Sequence, residues 1–174
     1  GTAALAVASG HAAQVIVFHN LMQPGDNFVA ANKLYGGSIN QFGHAFKNYG
    51  WEVRWADTND ISTFESQIDD RTKASCIESL ANPGGTFVDI EKIGDIARKH
   101  GLPLIVDNTL ASPYLIRPIE HGADIVVHSL TKFMGGHGTT LGGAIVDSGK
   151  FPWARHADRF PLFSRSEERG VGKE

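Results

Sequence analysis

The densest grouping of reactive residue types in the sequence is "HSLTKFMGGHG" (128–138), where Lys132 follows Ser129 and Thr131 and precedes Gly135, Gly136 and Gly138. The apolar run "ADIVV" leads straight into it. A solvated surface lysine needs neither Phe133 and Met134 beside it nor glycines that let backbone approach a ligand. Other chemistries fail on their own terms. Ser129 and Lys132 satisfy S-x-x-K, but the S-D-N and K-T-G tripeptides that acylating hydrolases also need are missing. "GGHGTTLGG" is not G-x-G-x-x-G, because Leu141 stands at the last glycine position, and no G-K-[ST] exists for a Walker loop. His128 and His137 match no zinc spacing, and no metal is expected. What remains for Lys132 is amine chemistry, a Schiff base with an aldehyde.

Such a lysine has to be held by regular elements, and the chain supplies them. Helix-like segments over about 10–22, 38–49, 60–69 and 89–100 alternate with the apolar runs "NFVAA", "WEVRWA", "KASCIESL", "LPLIVD", "ADIVVH" and "LGGAIV". Strands alternating with helices predict one α/β domain, a mostly parallel sheet flanked by helices and joined by right-handed crossovers. Ligands bind beyond the carboxyl ends of such strands. The polar residues there are Ser79 to Asn82, Asp107 to Thr109, and His128 to Lys132. "ASGHAAQ" adds a helix start at Ser9 and Gly10, whose free amides suit a phosphate. Each has a plainer reading: Asp107 as a turn cap, Ser9 as an N-cap, Tyr35 as an aromatic filler.

Composition narrows the partners. The 174 residues carry a formal net charge of -3, with no basic face for nucleic acid. No apolar run is long enough to span a bilayer, and the small apolar opening lacks the basic start of a signal peptide. The single cysteine, Cys76, rules out a disulfide framework and fits a reducing, cytoplasmic setting. The charge-dense "RSEERGVGKE" (165–174) is expected to be a non-native tail.

"DIVVHSLTKFMGGHG" resembles the lysine signature of the Cys/Met-metabolism family of pyridoxal-5′-phosphate (PLP) enzymes, fold type I. Asp124, Ser129, Thr131, Lys132, Phe133, Met134, Gly136 and His137 match that pattern. Leu130 departs, standing where the family usually has a small residue. "SGHAAQ", "LYGG", "ANPGG", "IVDNTLASPYL" and "RPIEHGADI" follow the family's other landmarks in order, so the resemblance covers residues 1 to about 164. Within the family, "LYGGSINQFGHAFKNYGWEVRWAD" looks most like the O-acetylhomoserine sulfhydrylases.

The resemblance implies that residues 1–164 are part of the PLP-binding large domain of an aspartate aminotransferase-like enzyme. It implies that Lys132 forms the Schiff base and, desolvated, serves as general base. It assigns Asp107 to the pyridine nitrogen and Tyr35 to stacking on the ring and proton transfer. Ser9, Gly10, His11, Ser129 and Thr131 are assigned to the phosphate, and Asn82 to the ring hydroxyl or the substrate carboxylate. His11 replaces the family's usual glutamine or methionine, a change that backbone binding tolerates. The implied reaction is γ-replacement on O-acetylhomoserine by sulfide, giving homocysteine and acetate, in a homo-oligomer. Sister readings are methionine γ-lyase and cystathionine γ-synthase or lyase. A reading of another class is a non-catalytic binding module that kept the fold. No arginine in this stretch falls where a substrate carboxylate would bind, so the chain alone is expected to be inactive.

Overall fold

The computed structural model describes residues 1–164, and the expected tail lies outside them. Seven strands form one sheet: β1 (Ala3–Val7), β2 (Asn27–Ala31), β3 (Glu52–Ala56), β4 (Thr72–Glu78), β5 (Leu104–Asp107), β6 (Ile125–Ser129) and β7 (Gly143–Asp147). Their spatial order is β1-β7-β6-β5-β4-β2-β3. The pairs β3/β2, β2/β4, β4/β5 and β5/β6 are parallel, whereas β7 runs antiparallel to both β6 and β1. The connection from β6 to β7 is the lysine loop itself. It carries no crossover helix, so β7 returns antiparallel. The sequence reading did not anticipate β1, a run of small residues on the sheet edge with four of its five positions exposed. Its pattern carries no alternation to read.

The strands form where the apolar runs lie, and burial explains why those runs do not alternate. β2 is buried at every position, as a strand covered on both faces must be. Helix α1 (Gly10–Leu21) crosses over β6 and β7, and buries Gly10, Ala13, Gln14, Val17, Phe18 and Leu21 at helical spacing. Ser9 caps it, its side chain accepting from the Ala12 amide at 3.1 Å. Phe18 meets Phe28 of β2 at 4.2 Å between ring centroids, and Phe42 and Phe46 close the cluster at 5.4 and 5.3 Å from Phe18. That aromatic knot fixes α2 (Gly36–Gly43), which starts immediately after Tyr35.

Two expected helices are shorter than expected. The segment 38–49 begins at Gly36, breaks at His44 and continues only as a 3-10 turn over Ala45–Tyr49. The segment 60–69 holds only α3 (Ser62–Ser66). Asp60 there accepts from the Ser62 hydroxyl, and Asp69 is already bonded to Thr72 at the start of β4, so side-chain caps consume both ends. By contrast α4 (Ile90–Lys99) matches the periodicity, capped by Asp89 and burying Ile90, Ile93, Gly94 and Ala97. The remaining helices, α5 (Ser112–Leu115) and α6 (Pro161–Ser164), are single turns.

Sheet alternation decides which face holds the chemistry. Leu104 of β5 packs under Gly94 of α4, so Val106 shares that face and Asp107 falls on the other. On that other face Gln14 of α1 reaches Asp107.

Candidate active site

Because β4, β5 and β6 are parallel, Glu78, Asp107 and Ser129 end at the same edge of the sheet. They open onto a cavity of about 610 Å³, within the ordinary range for small-ligand sites. Every residue that the resemblance assigns to the site lines it, whereas the strand-end candidates Ser79, Asn108 and His128 are buried and do not. Ser9, Gly10 and His11 come from the start of α1, Tyr35 from the turn after β2, and Asn82 from the turn after β4. Asp107 ends β5, Ser129 ends β6, and Thr131 and Lys132 follow it.

Two glycines bring the start of α1 against β6. A Cβ at Gly10 would stand 2.7 Å from the Ser129 Cβ and 3.0 Å from its Cα. A Cβ at Gly143 would collide with the backbone carbonyl of Ser9. With glycine at both positions, the free amides of a helix N-terminus and the Ser129 side chain share one corner of the cavity. This is a donor set suited to a phosphate. The Ser9 oxygen accepts the helix cap, so the plainer reading of Ser9 holds together with its place in the wall. Gly136, at φ 73°, adopts the left-handed backbone that turns the chain after Lys132.

Asp107 is held from three sides. Its Oδ1 accepts from the Thr109 hydroxyl at 2.5 Å and the Thr109 amide at 3.0 Å, and its Oδ2 accepts from Gln14 Nε2 at 3.1 Å. Burial raises its pKa, and the bonds from Thr109 and Gln14 oppose that rise. Thr109 also accepts from the Ser129 amide at 2.8 Å, which ties the carboxylate to the lysine loop. Glu78 pairs in register with Asp107 and is only 6% exposed, and burial with the nearby Asp107 charge pushes its pKa up to about 7.

Gln14 and Glu78 are site residues that sequence reading missed, whereas Thr109 was among the strand-end candidates without an assigned role. Gln14 did leave a signal, a glutamine inside the apolar face of α1. Glu78 left another, a charged residue closing a strand whose preceding residues, Ala74 to Ile77, carry no charge.

Lys132 lies with its Nζ 5.9 Å from the centre of the Tyr35 ring, and Tyr35 stacks on His11 at 5.9 Å with 28° between planes. Gly37 permits this, since a Cβ there would strike both rings. The expected desolvation of the lysine is not met. Lys132 is exposed, and Phe133 and Leu141, which line the same cavity, are 70% and 74% exposed. Thr131 exchanges hydrogen bonds with the Gly142 backbone at 3.2 and 3.3 Å, closing the base of the loop. The unusual Leu130 packs on Gly142, where a Cβ would be 3.3 Å from its own, so a glycine opposite makes room for the larger side chain.

No arginine among the described residues lines the cavity. Arg54 pairs with Asp69, Arg98 with Asp95 and Arg117 with Glu120, while Arg159 donates to the backbone at the start of β4, the opposite end of the sheet.

A lysine, a buried carboxylate and a helix N-terminus converge beyond the ends of the parallel strands, an arrangement with the chemistry to hold an aldehyde that carries a phosphate. Residues 1–167 match the Cys/Met metabolism PLP-dependent enzymes, and the chain belongs to that family. It is 52% identical over 169 residues to the homocysteine/cysteine synthase of Saccharomyces cerevisiae, covering 97% of this chain and 38% of the relative. It is 46% identical to the O-acetyl-L-homoserine sulfhydrylase of Leptospira meyeri, over 88% of this chain and 35% of that protein. The chain thus spans less than two-fifths of these relatives. Among solved structures, an assigned O-acetylhomoserine (thiol)-lyase of Campylobacter jejuni superposes with a TM-score of 0.89 at 43% identity, covering 92% of this chain and 40% of that one. That structure carries pyridoxyl-lysine phosphate. Cystathionine γ-lyase of Lactobacillus plantarum superposes at 0.82 with 36% identity, over 93% of this chain and 42% of that one. The mostly parallel sheet accordingly shares the fold of PLP-dependent fold type I enzymes.

Proposed function

We propose that the protein containing this chain is a PLP-dependent sulfhydrylase that replaces the acetyl group of O-acetylhomoserine with sulfide. The observation that carries the reading is the convergence of Lys132, Asp107 and the α1 N-terminus on one cavity, in a chain half identical to a homocysteine/cysteine synthase. The residues present fit the cofactor: an amine, a buried carboxylate, an aromatic face and a set of neutral donors.

When bound, the cofactor supplies an aldehyde for amines and a ring that takes up electrons from the substrate. The chain's own residues supply the rest. The amides of Gly10 and His11, with the hydroxyls of Ser129 and Thr131, hold the phosphate. Asp107 keeps a proton on the pyridine nitrogen and is itself kept in place by Gln14 and Thr109. Lys132 would hold the cofactor aldehyde and, as a free amine, would take a proton from Cα and move protons on towards Cγ. Tyr35, whose ring lies 5.9 Å from the Lys132 amine, would offer its face to the cofactor ring and would hand a proton to the departing group. Asn82 fixes the ring hydroxyl or the substrate carboxylate. The Cγ–O bond breaks as acetate leaves, and a Cγ–S bond forms with sulfide. Atoms balance: O-acetylhomoserine and hydrogen sulfide give homocysteine and acetic acid.

The likeness to cystathionine γ-lyase supports one rival, γ-elimination at the same site. Purified full-length protein given O-acetylhomoserine separates the two. Homocysteine with sulfide, and little 2-oxobutyrate without it, is the expected result. Rapid 2-oxobutyrate release in the absence of any thiol would instead establish a lyase. The same reading places the protein in the cytoplasm as a homo-oligomer. The exposed Tyr114, Leu115, Phe133 and Leu141 support the latter as apolar surface for a partner subunit to cover.

A further inference from the structure

Glu78 is buried, carries an ionisable carboxyl and plays no part in the reaction just described. Among the described residues it has no ion-pair partner, and a buried carboxylate without a counter-charge is costly. Its two oxygens are instead spent on backbone. Oε1 accepts from the amide of Tyr35 at 2.7 Å, and Oε2 accepts from the amide of Asn82 at 3.0 Å. One side chain therefore fastens the turn after β2 to the turn after β4, and each turn carries a residue of the cofactor cavity. Tyr35 also stands at the N-cap of α2 with no side-chain cap bond of its own, so the Glu78 bond is a specific tether at that helix start.

The residue type follows from the geometry. Two N–H groups approach one terminal group from two sides, and only a carboxylate offers an acceptor to each. Glutamine has one acceptor oxygen and would set an N–H donor against the other amide. Aspartate is one methylene shorter. The position of the Tyr35 ring tolerates little drift, because it closes with His11 around Gly37, where even a methyl group would collide.

We propose that Glu78 is a positioning residue whose carboxylate clamps the loops after β2 and β4, so that Tyr35 and Asn82 face the cofactor together. What the two side chains then do rests on the functional reading above, but the clamp itself is open to a test that needs no turnover.

The test is hydrogen–deuterium exchange of the intact cofactor-free protein, read in peptides covering 32–38, 80–87 and 90–99. Glu78→Ala should speed exchange about tenfold or more at both loop sites, from loss of a charge-assisted bond to each amide, and leave α4 unchanged. Glu78→Gln, nearly isosteric and safer for folding, should release one loop and hold the other. In the loaded enzyme, Glu78→Gln should bind pyridoxal phosphate yet lose much of its visible circular dichroism, as Tyr35 loses its fixed stacking on the ring. Exchange that rises equally in α4, or in neither loop, would overturn the clamp. Selective loop release in a protein that makes no homocysteine would uphold the clamp and sink the functional reading alone.

Discussion

Replacing Gly10 with alanine sets two effects of opposite sign against each other. Alanine is favoured over glycine in a helix by up to about 1 kcal/mol, so propensity alone predicts stabilisation of α1. Packing predicts the reverse. The added methyl would stand 2.7 Å from the Ser129 Cβ and 3.0 Å from its Cα, where carbon atoms normally rest about 3.5–4.0 Å apart. The Cα belongs to the backbone of β6 and cannot rotate away, so α1 must back off by roughly 1 Å. Overpacking of this kind costs about 1–3 kcal/mol, more than propensity returns. A net loss of about 1–2 kcal/mol is expected in urea unfolding of the intact cofactor-free protein. The retreat also pulls the helix amides away from the Ser129 hydroxyl, splitting the phosphate site. Losing one charge-assisted bond should weaken pyridoxal phosphate binding by about tenfold to a hundredfold in a fluorescence titration. A variant more stable than the parent, with unchanged cofactor affinity, would show that α1 is not pinned against β6 and that the phosphate site is elsewhere.

Lys132→Ala should abolish the visible absorbance of the bound cofactor, and borohydride reduction of the parent should leave its label on Lys132. A label on Lys33, Lys73 or Lys99 would move the attachment site. Asp107→Asn should fold normally yet slow turnover about a hundredfold or more, since a neutral amide no longer holds the ring proton. Unchanged turnover at saturating cofactor would reduce Asp107 to a turn cap. Glu78 should make stability fall with rising pH. Its folded pKa of about 7 lies above the ordinary 4.5, so the folded state holds the extra proton between those values. That contribution is complete below about pH 4.5 and is lost as pH rises through 7, a span of about 3 kcal/mol at 1.36 kcal/mol per unit. Urea midpoints for the parent and Glu78→Gln should therefore converge in favour of the variant as pH rises from 5 to 8. Parallel curves would contradict the assignment.

The candidate site was legible in the chain because the residues that line its cavity sit at strand ends that announce themselves. Lys132 follows an apolar run, and Asp107 closes another. Ser9 and Gly10 open a helix whose apolar spacing is plain. Edge and connection details were not legible. β1 has no alternation, and nothing local says that β7 will run backwards between β1 and β6. That outcome depends on a connection without a crossover helix.

Sequence by itself determined which residues have the chemistry for the proposed roles, since amine, carboxylate and hydroxyl reactivity are properties of side-chain type, and burial of both sheet faces writes itself as unbroken apolar runs. Only the tertiary structure decided which residues hold them in place. Gln14 bonds Asp107 across 93 positions because α1 lies over the carboxyl ends of the central strands. Glu78 reaches Tyr35 because β4 lies beside β2 rather than beside β3. Strand order is set by the packing of the whole sheet, so no local pattern around residue 14 or 78 encodes it.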